Sequence, residues 1–419
     1  MPKSEPFWNR DFLLLWQGSL VSAIGGQAYL IAILLWAKRT TESGTIVGII
    51  MFAGSITSLL MPLGGVLADR MPRVRLLVIF DCISGLVVLA LAGLFLRLPS
   101  DHSAMIPAVL AINFVRGVCT ALFHPVANAL IPDLVPKDSL SAANSAMQTT
   151  WRTATLIGQS VSGLLFRLLG APLLLSIDGV SFLISAITEL FIREPTIPKT
   201  SIGQGKLDLL RDLNEGVRFA ARIRGFRAYL IEASCANFFI AALFVCLPFY
   251  VEDVLSASSD WYGYLLGAMG FGSIVGGIAA GRFRRPGAAR GTLQLACVLC
   301  INGCMLPLAF VQSPWTALIL IALAWGCVGF HQVLLTTLVQ KRTPAEMRGR
   351  IFSLLTMIRM GMLPIGMAIF GMVIDWQDGQ VREVLYWAGA AGLAIGLVAI
   401  LHPGFRWFFV GDEAEIRLG

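Results

Sequence analysis

Four ionisable residues of this chain stand inside long apolar runs, and what each could do there depends on whether it can give up its charge. Asp178 lies in LLLSIDGVSFLISA, Arg116 in NFVRGV, Arg152 in TTWRTAT and Arg359 in TMIRMGM. A charge at the centre of a bilayer costs about 2.5–3.5 kcal/mol on insertion scales, so each is expected to face other helices and to have a partner. Arginine keeps its proton at physiological pH. Asp178 is therefore expected to take up and release a proton, with Arg116 or Arg152 as the fixed positive charge beside it. A structural ion pair locking two helices together would use the same residues.

A second group of side chains could hold a molecule. Asn144, Gln148, Arg152, Thr155 and Gln159 recur at steps of three or four residues, making one polar stripe on a helix. Lipid contact would leave those groups unsatisfied, so the stripe should face a cavity or a neighbouring helix. Phe238, Trp325, Met357, Arg359 and Met360 form a softer counterpart, with Phe239, Phe244, Met362 and Met367 nearby in sequence. Flexible Met side chains adapt to varied apolar shapes, so polar and soft walls together suit an amphipathic organic molecule. Those methionines would equally well fill a helix interface. His124 and His331 read as packing residues more than as proton relays. Asp81, Glu189 and Glu232 fall near the expected inner interface, where gating and headgroup contact explain them equally.

Other chemistries find little support. The eight cysteines all fall in apolar runs, which is no disulfide framework. Cys297, Cys300 and Cys304 share a helical face, but no His or carboxylate accompanies them, so no metal is assigned. The fragment GQGK at 203–206 falls short of a phosphate-cradling loop, and no cofactor is expected.

The elements that must position these residues follow from composition. The 419 residues are 56% hydrophobic and 14% charged, with a mean hydropathy of +0.76. That exceeds what a water-soluble core can bury. A bilayer requires roughly 20 apolar residues per spanning helix. The runs predict spans at 12–37, 45–67, 76–96, 105–130, 142–168, 172–192, 229–250, 262–282, 291–311, 315–338, 351–374 and 384–403. Met1 to Asp11 lacks a cleavage site behind it and is read as preceding an anchor, not as a signal peptide. Most of the 32 Lys and Arg fall between spans on the side of the N-terminus, which predicts both termini in the cytoplasm. The net charge of +7 then points to anionic lipid headgroups, and no nucleic-acid partner is expected.

The polar stretch Arg193 to Arg227 divides the chain near its middle. Residues 1–192 are expected to form one six-helix bundle, 193–227 a cytoplasmic linker with an amphipathic or solvated helix from Leu207 to Ala220, and 228–419 a second bundle. The halves repeat weakly. At a shift of 208, PKDSLSAANSA (136–146) meets PAEMRGRIFSL (344–354), Gly158 meets Gly366 and Gly163 meets Gly371. At a shift of 212, GGVLADR meets GGIAAGR. Repeats with six spans each share one membrane orientation, which is the plan of a rocker-type transporter. The paired glycines are expected to permit close helix approach.

Between the second and third spans the sequence reads GVLADRMPRVR, with Gly65, Asp69, Arg70, Arg73 and Arg75 at one end of a helix pair. This loop resembles the signature of the major facilitator superfamily, although Pro72 stands where Gly is usual and Val74 where a base is usual. With NRDFLLLWQGSLVSAIGG, FHPVANALIPDLVPKDSLSAANSA and LLLSIDGVSFLISA it is similar to the exporter branch that contains macrolide efflux and enterobactin export proteins. The resemblance implies an all-α fold of twelve spans in two bundles and proton-driven antiport of drugs, macrolides or siderophores by a monomer in a bacterial-type inner membrane. The charges of this loop suit a gate of Gly65, Asp69, Arg70 and Arg73, in which Asp69 pairs with bases and helix ends when the cytoplasmic side is closed, though the bases alone would serve as a topology signal. Arg116 stands where the family carries its fourth-span arginine. Relatives that flip lysophospholipids supply the alternative of a lipid flippase, for which Arg116 and Arg152 would hold a phosphate. A membrane enzyme with His331 as base lacks any accompanying nucleophile.

Overall fold

The computed structural model describes residues 8–97, 102–193, 218, 225–283, 288–343 and 345–410. The amphipathic pattern from Leu207 to Ala220 lies outside the described residues, apart from a helical Arg218. Among the described residues all regular structure is helical. Among the described residues eleven helices are long and apolar enough to cross a membrane: α1 Arg10–Thr41, α2 Gly44–Arg70, α3 Arg73–Arg97, α4 Met105–Leu134, α5 Leu140–Leu190, α6 Phe226–Val254, α7 Asp260–Arg282, α8 Gly291–Leu308, α9 Pro314–Arg342, α10 Leu355–Trp376 and α11 Val381–Leu401.

Local chemistry sets several of the boundaries. Asn9 caps α1, its side chain accepting from the Phe12 amide at 2.9 Å and donating to the Leu134 carbonyl at 2.5 Å. Ser43 caps α2 by accepting from Ile46 N at 3.3 Å. The helices overrun the apolar runs, α1 ending four residues past the expected 37, because Lys38 and Arg39 suit the negative end of the helix dipole.

Helix α5 explains why twelve expected spans become eleven helices. Its 51 residues would extend about 77 Å if straight, against about 30 Å of hydrocarbon. Gly170 breaks it, with φ 73° and ψ 173°, a conformation essentially reserved for glycine. Trp16 Nε1 donates to Thr150 Oγ1 and Gln159 Nε2 to Gln27 Oε1, so the first arm of α5 runs parallel to α1. Gly25 lies against Asp178 and Gly18 against Ser185, so the second arm runs the opposite way. The chain reverses at Gly170 and crosses twice.

The helices group into two compact units, residues 1–202 with 258–267, and residues 203–257 with 268–419. In the first, α1 packs on α5 and α2 on α4. A Cβ at Gly158 would lie 2.8 Å from the Gln27 side chain, and one at Gly64 would lie 2.8 Å from the Leu122 carbonyl oxygen. The second unit repeats the scheme with α6 on α10 and α7 on α9. There a Cβ at Gly366 would lie 2.7 Å from Ala241 Cβ, and Gly276 meets the Gly326 backbone with no space for a side chain. Gly158 and Gly366 thus do the same work at matched positions. Side chains such as Leu168, Leu190, Phe310 and Leu401 remain exposed on the helices, the apolar exterior that lipid requires.

Candidate functional site

The second arm of α5 carries Asp178, Ser181, Ser185 and Glu189 at steps of three, four and four, all on its buried face. From α4, Arg116 reaches this face with its Nε 3.3 Å from Asp178 Oδ2. Asp178 is 0% exposed. The guanidinium lies 4.2 Å from the centre of the Tyr29 ring and 5.3 Å from that of Phe182, so aromatic faces add to its stabilisation. Gly25 and Gly26 of α1 make the approach possible. A Cβ at Gly25 would stand 2.8 Å from Asp178 Oδ1, and one at Gly26 would stand 2.7 Å from an Arg116 terminal nitrogen. Neither Asp178 oxygen takes a hydrogen bond of good geometry, so the pair is held by charge and position. A carboxylate so placed has one strong partner and free lone pairs.

Of the two arginines considered for Asp178, the structure brings Arg116 and not Arg152. Arg152 is exposed, and none of the described ion pairs contains it. On the first arm of α5, Ala143, Met147, Thr150, Ala154 and Gly158 form the buried face. The polar stripe lies about 100° round the helix from that face. Asn144 and Gln148 are exposed, Thr155 is half-buried, and Gln159 is half-buried with its bond to Gln27 at 3.1 Å.

Sequence reasoning missed how completely three acids are buried. Asp81 of α3 is 2% exposed and Glu189 is 0% exposed, so headgroup contact is excluded for both, as it is for Glu232 at 5%. Asp81 and Glu189 are within electrostatic reach of each other, with Ser185 beside both. The signal was available: Glu189 continues the spacing that begins at Asp178, as readable as the stripe on the first arm.

In the loop after α2, Arg73 is the organising residue. It forms an ion pair with Asp133 of α4 and donates to the Ala129 carbonyl at 2.8 Å and the Ala68 carbonyl at 3.0 Å. Asp69 sits 4.0 Å from Arg73 with its side chain 75% exposed, and Arg70 is exposed. A Cβ at Gly65 would meet nothing within 4 Å, so the helix contact here needs Gly64. Asp133 was not singled out in the sequence, because it lies far from the motif along the chain.

The second unit contains a cavity of about 240 Å³ between α6, α8, α9 and α10. Glu232, Asn237, Phe244, Asn302, Trp325 and His331 contribute to its wall. Asn302 Nδ2 donates to Glu232 Oε1 at 2.8 Å and to the Val298 carbonyl at 2.9 Å. Trp325 meets Phe244 edge to face at 6.2 Å. Phe238 packs instead against Phe239 and Phe370, at 5.2 and 5.3 Å between ring centres. Met357 is exposed and Met367 buried, while the side chains of Arg359 and Met360 lie outside the described residues. His124 packs edge-on against Trp151 at 4.6 Å. Among the described residues no group of three or more His, Cys, Asp or Glu could hold a metal ion.

Residues 3–407 match the family described as transmembrane secretion effector. Macrolide efflux protein A of Streptococcus pyogenes is 25% identical over 407 residues, covering 94% of this chain and 96% of that protein. The multidrug efflux pump Tap of Mycolicibacterium fortuitum is 23% identical over 404 residues, with 94% and 96% covered. Among solved structures, the nucleoside transporter NupG superposes with a TM-score of 0.69 at 14% identity, over 93% of this chain and 98% of that one. An inward-facing bacterial homologue of the human lysosomal transporter Spinster gives 0.69 at 16%, with 97% of each chain covered. Eleven helices long and apolar enough to cross a membrane among the described residues, one of them folded back at Gly170, a buried ion pair among them and a match over nearly the whole length converge on one assignment. The chain is a multi-pass membrane transporter of the major facilitator superfamily and belongs to its transmembrane secretion effector family.

Proposed function

We propose that the chain is a proton-coupled antiporter that exports amphipathic organic compounds by alternating access of its two bundles. It acts as a monomer among the lipids of a bacterial-type cytoplasmic membrane, with both termini in the cytoplasm. The observation that carries the coupling step is the buried Asp178–Arg116 pair at 3.3 Å. A proton taken up from the outer side neutralises Asp178 and leaves Arg116 without its counter-charge, which biases the bundle towards an arrangement that solvates the arginine differently. Release of that proton to the cytoplasm restores the pair. Each proton moving down 100 mV supplies about 2.3 kcal/mol, enough for about a fifty-fold gradient of one exported molecule. Relatives named for macrolide and multidrug efflux support organic compounds as cargo.

On this reading Asn144, Gln148, Thr155 and Gln159 offer polar contacts to cargo, while Phe238, Trp325, Met357, Arg359 and Met360 offer the softer wall. Gly65, Asp69, Arg70 and Arg73 act in the cytoplasmic gate, to which Asp133 is added through its pair with Arg73. The test is export from proteoliposomes under an imposed pH gradient. Asp178→Asn should abolish gradient-driven export while leaving substrate binding intact. Full export after that change would remove Asp178 from the mechanism.

A further inference from the structure

The cavity of the second unit has a composition that the coupling step does not use. Glu232 is 5% exposed, and the donor that reaches its carboxylate is the Asn302 amide at 2.8 Å. That amide nitrogen also donates to Val298, so both of its hydrogens are engaged and it gives Glu232 a single bond. An ionised carboxylate has about four lone-pair sites. None of the described residues lining the cavity is Lys or Arg. His331, which also lines it, packs against the rings of Tyr229 at 6.4 Å and Phe409 at 5.8 Å. A carboxylate buried with one neutral donor is poorly compensated for the water it has lost, so its ionised form needs a further positive partner. Trp325, Phe244, Ile240 and Leu363 give the cavity an apolar wall, with Asn237 and Gln332 as further polar lining. Aromatic faces attract cations, most strongly where water is excluded. The cavity's 240 Å³ is below the roughly 300–1,000 Å³ of drug-sized sites, so it accepts a small molecule or one end of a larger one.

We propose that this cavity binds an organic monocation, with the cationic nitrogen against the Glu232 carboxylate and its alkyl groups against Trp325 and Phe244. The ligand supplies the charge that the described lining leaves out, and its apolar substituents occupy the aromatic wall. Asn302 is a positioning residue: its second bond, to Val298 in the preceding turn, fixes the amide that orients Glu232. The proposal deepens the export reading by giving the charge class of one cargo, and it rests on that reading only in treating the ligand as cargo.

The test uses the full chain in nanodiscs and two probes of nearly equal shape, radiolabelled benzyltrimethylammonium and its uncharged isostere neopentylbenzene, measured by equilibrium dialysis. Benzyltrimethylammonium should bind saturably to one site. Glu232→Gln, which keeps the acceptor for Asn302, should weaken that binding about tenfold or more and leave neopentylbenzene within about twofold. Trp325→Ala, with Glu232 intact, should weaken the cation several-fold. Absence of saturable cation binding to the wild type overturns the proposal, as does equal cation affinity in the wild type and Glu232→Gln. Cation binding unaffected by Trp325→Ala places the ligand elsewhere and also overturns it; that variant decides the matter if Glu232→Gln does not fold. Wild-type protein that binds the cation but exports nothing would defeat the export reading alone. Asp178-dependent export without cation binding would defeat this inference alone.

Discussion

Replacing Arg116 with Met would keep most of the side chain's length and remove the cation that Asp178 faces at 3.3 Å. Asp178, with no exposed surface, then has two options. It can remain ionised and unpaired, which costs about 3–5 kcal/mol when a buried pair is broken. It can instead take a proton from water. At pH 7 that lies about three units above the ordinary aspartate value near 3.9, and at about 1.36 kcal/mol per unit the uptake costs about 4 kcal/mol. The two routes agree, so Arg116→Met should lose about 4 kcal/mol of stability at pH 7. At pH 5 proton uptake costs only about 1.5 kcal/mol, and the loss should shrink accordingly. The sign follows from linkage: in the variant the native state binds a proton that the unfolded chain lacks, so stability is lost as pH rises above the unfolded value. Unfolding of the purified protein in detergent at pH 5 and pH 7 reads the difference directly. Adding Asp178→Asn to Arg116→Met should restore most of the pH 7 loss. An equal loss at both pH values, or no recovery in the double variant, would show that Arg116 matters by its packing on Tyr29 and Phe182 and not by its charge.

Two further outcomes follow from the backbone and the loop. Gly170→Ala should cost about 1–3 kcal/mol, because a Cβ there meets nothing closer than Pro172 Cδ at 3.7 Å and the penalty is the backbone conformation itself. Gly93→Ala, in the interior of α3 with nothing within 4 Å of a Cβ, should instead stabilise by about 0.5–1 kcal/mol, and thermal unfolding of the two variants side by side checks both. In the loop after α2, Arg73→Ala should lose about 2–3 kcal/mol with its bonds to Asp133 and the Ala68 and Ala129 carbonyls. Asp69→Ala should leave stability within about 0.5 kcal/mol and yet slow export; unchanged export rates would remove Asp69 from the gate.

Features whose position depends on one helix were readable from the sequence, and contacts that depend on two were not. Crossing segments, the stripe from Asn144 to Gln159 and the solitary acid Asp178 are one-helix features, carried by hydropathy and by the 3.6-residue period. The pairing of Asp178 with Arg116 was narrowed to two arginines and no further, since choosing between α4 and the first arm of α5 needs their packing. Gly25 and Gly26 give no signal of their own in SAIGG, because their task is to make room for side chains more than 80 residues away along the chain. Asp133 is hidden for the same reason. Asp81 and Glu232 were placed at the interface because each lies close to the end of an apolar run. Burial at a helix end is decided by the neighbouring helices, here through Ser185 and Asn302.

Asp178 in the first unit and Glu232 in the second are both buried carboxylates, and the partner decides what can act on each. Asp178 has a permanent cation at 3.3 Å, so a ligand cation would compete with an arginine already in place, whereas a proton needs no space and cancels the attraction at its source. Glu232 has a neutral amide and an adjoining cavity of about 240 Å³, and among the described residues that line it a ligand meets no fixed cation. On the proposed reading, coupling at Asp178 and recognition of a cationic group at Glu232 differ because of their partners and not because of the number of charges in each half. That difference also sets which exchange would be informative. Giving Glu232 a fixed cation, through Asn302→Lys, would convert the second site to the logic of the first: organic cations should be shut out while Asp178-dependent proton movement continues. Loss of proton movement in that variant would mean that the two carboxylates act as one coupled device.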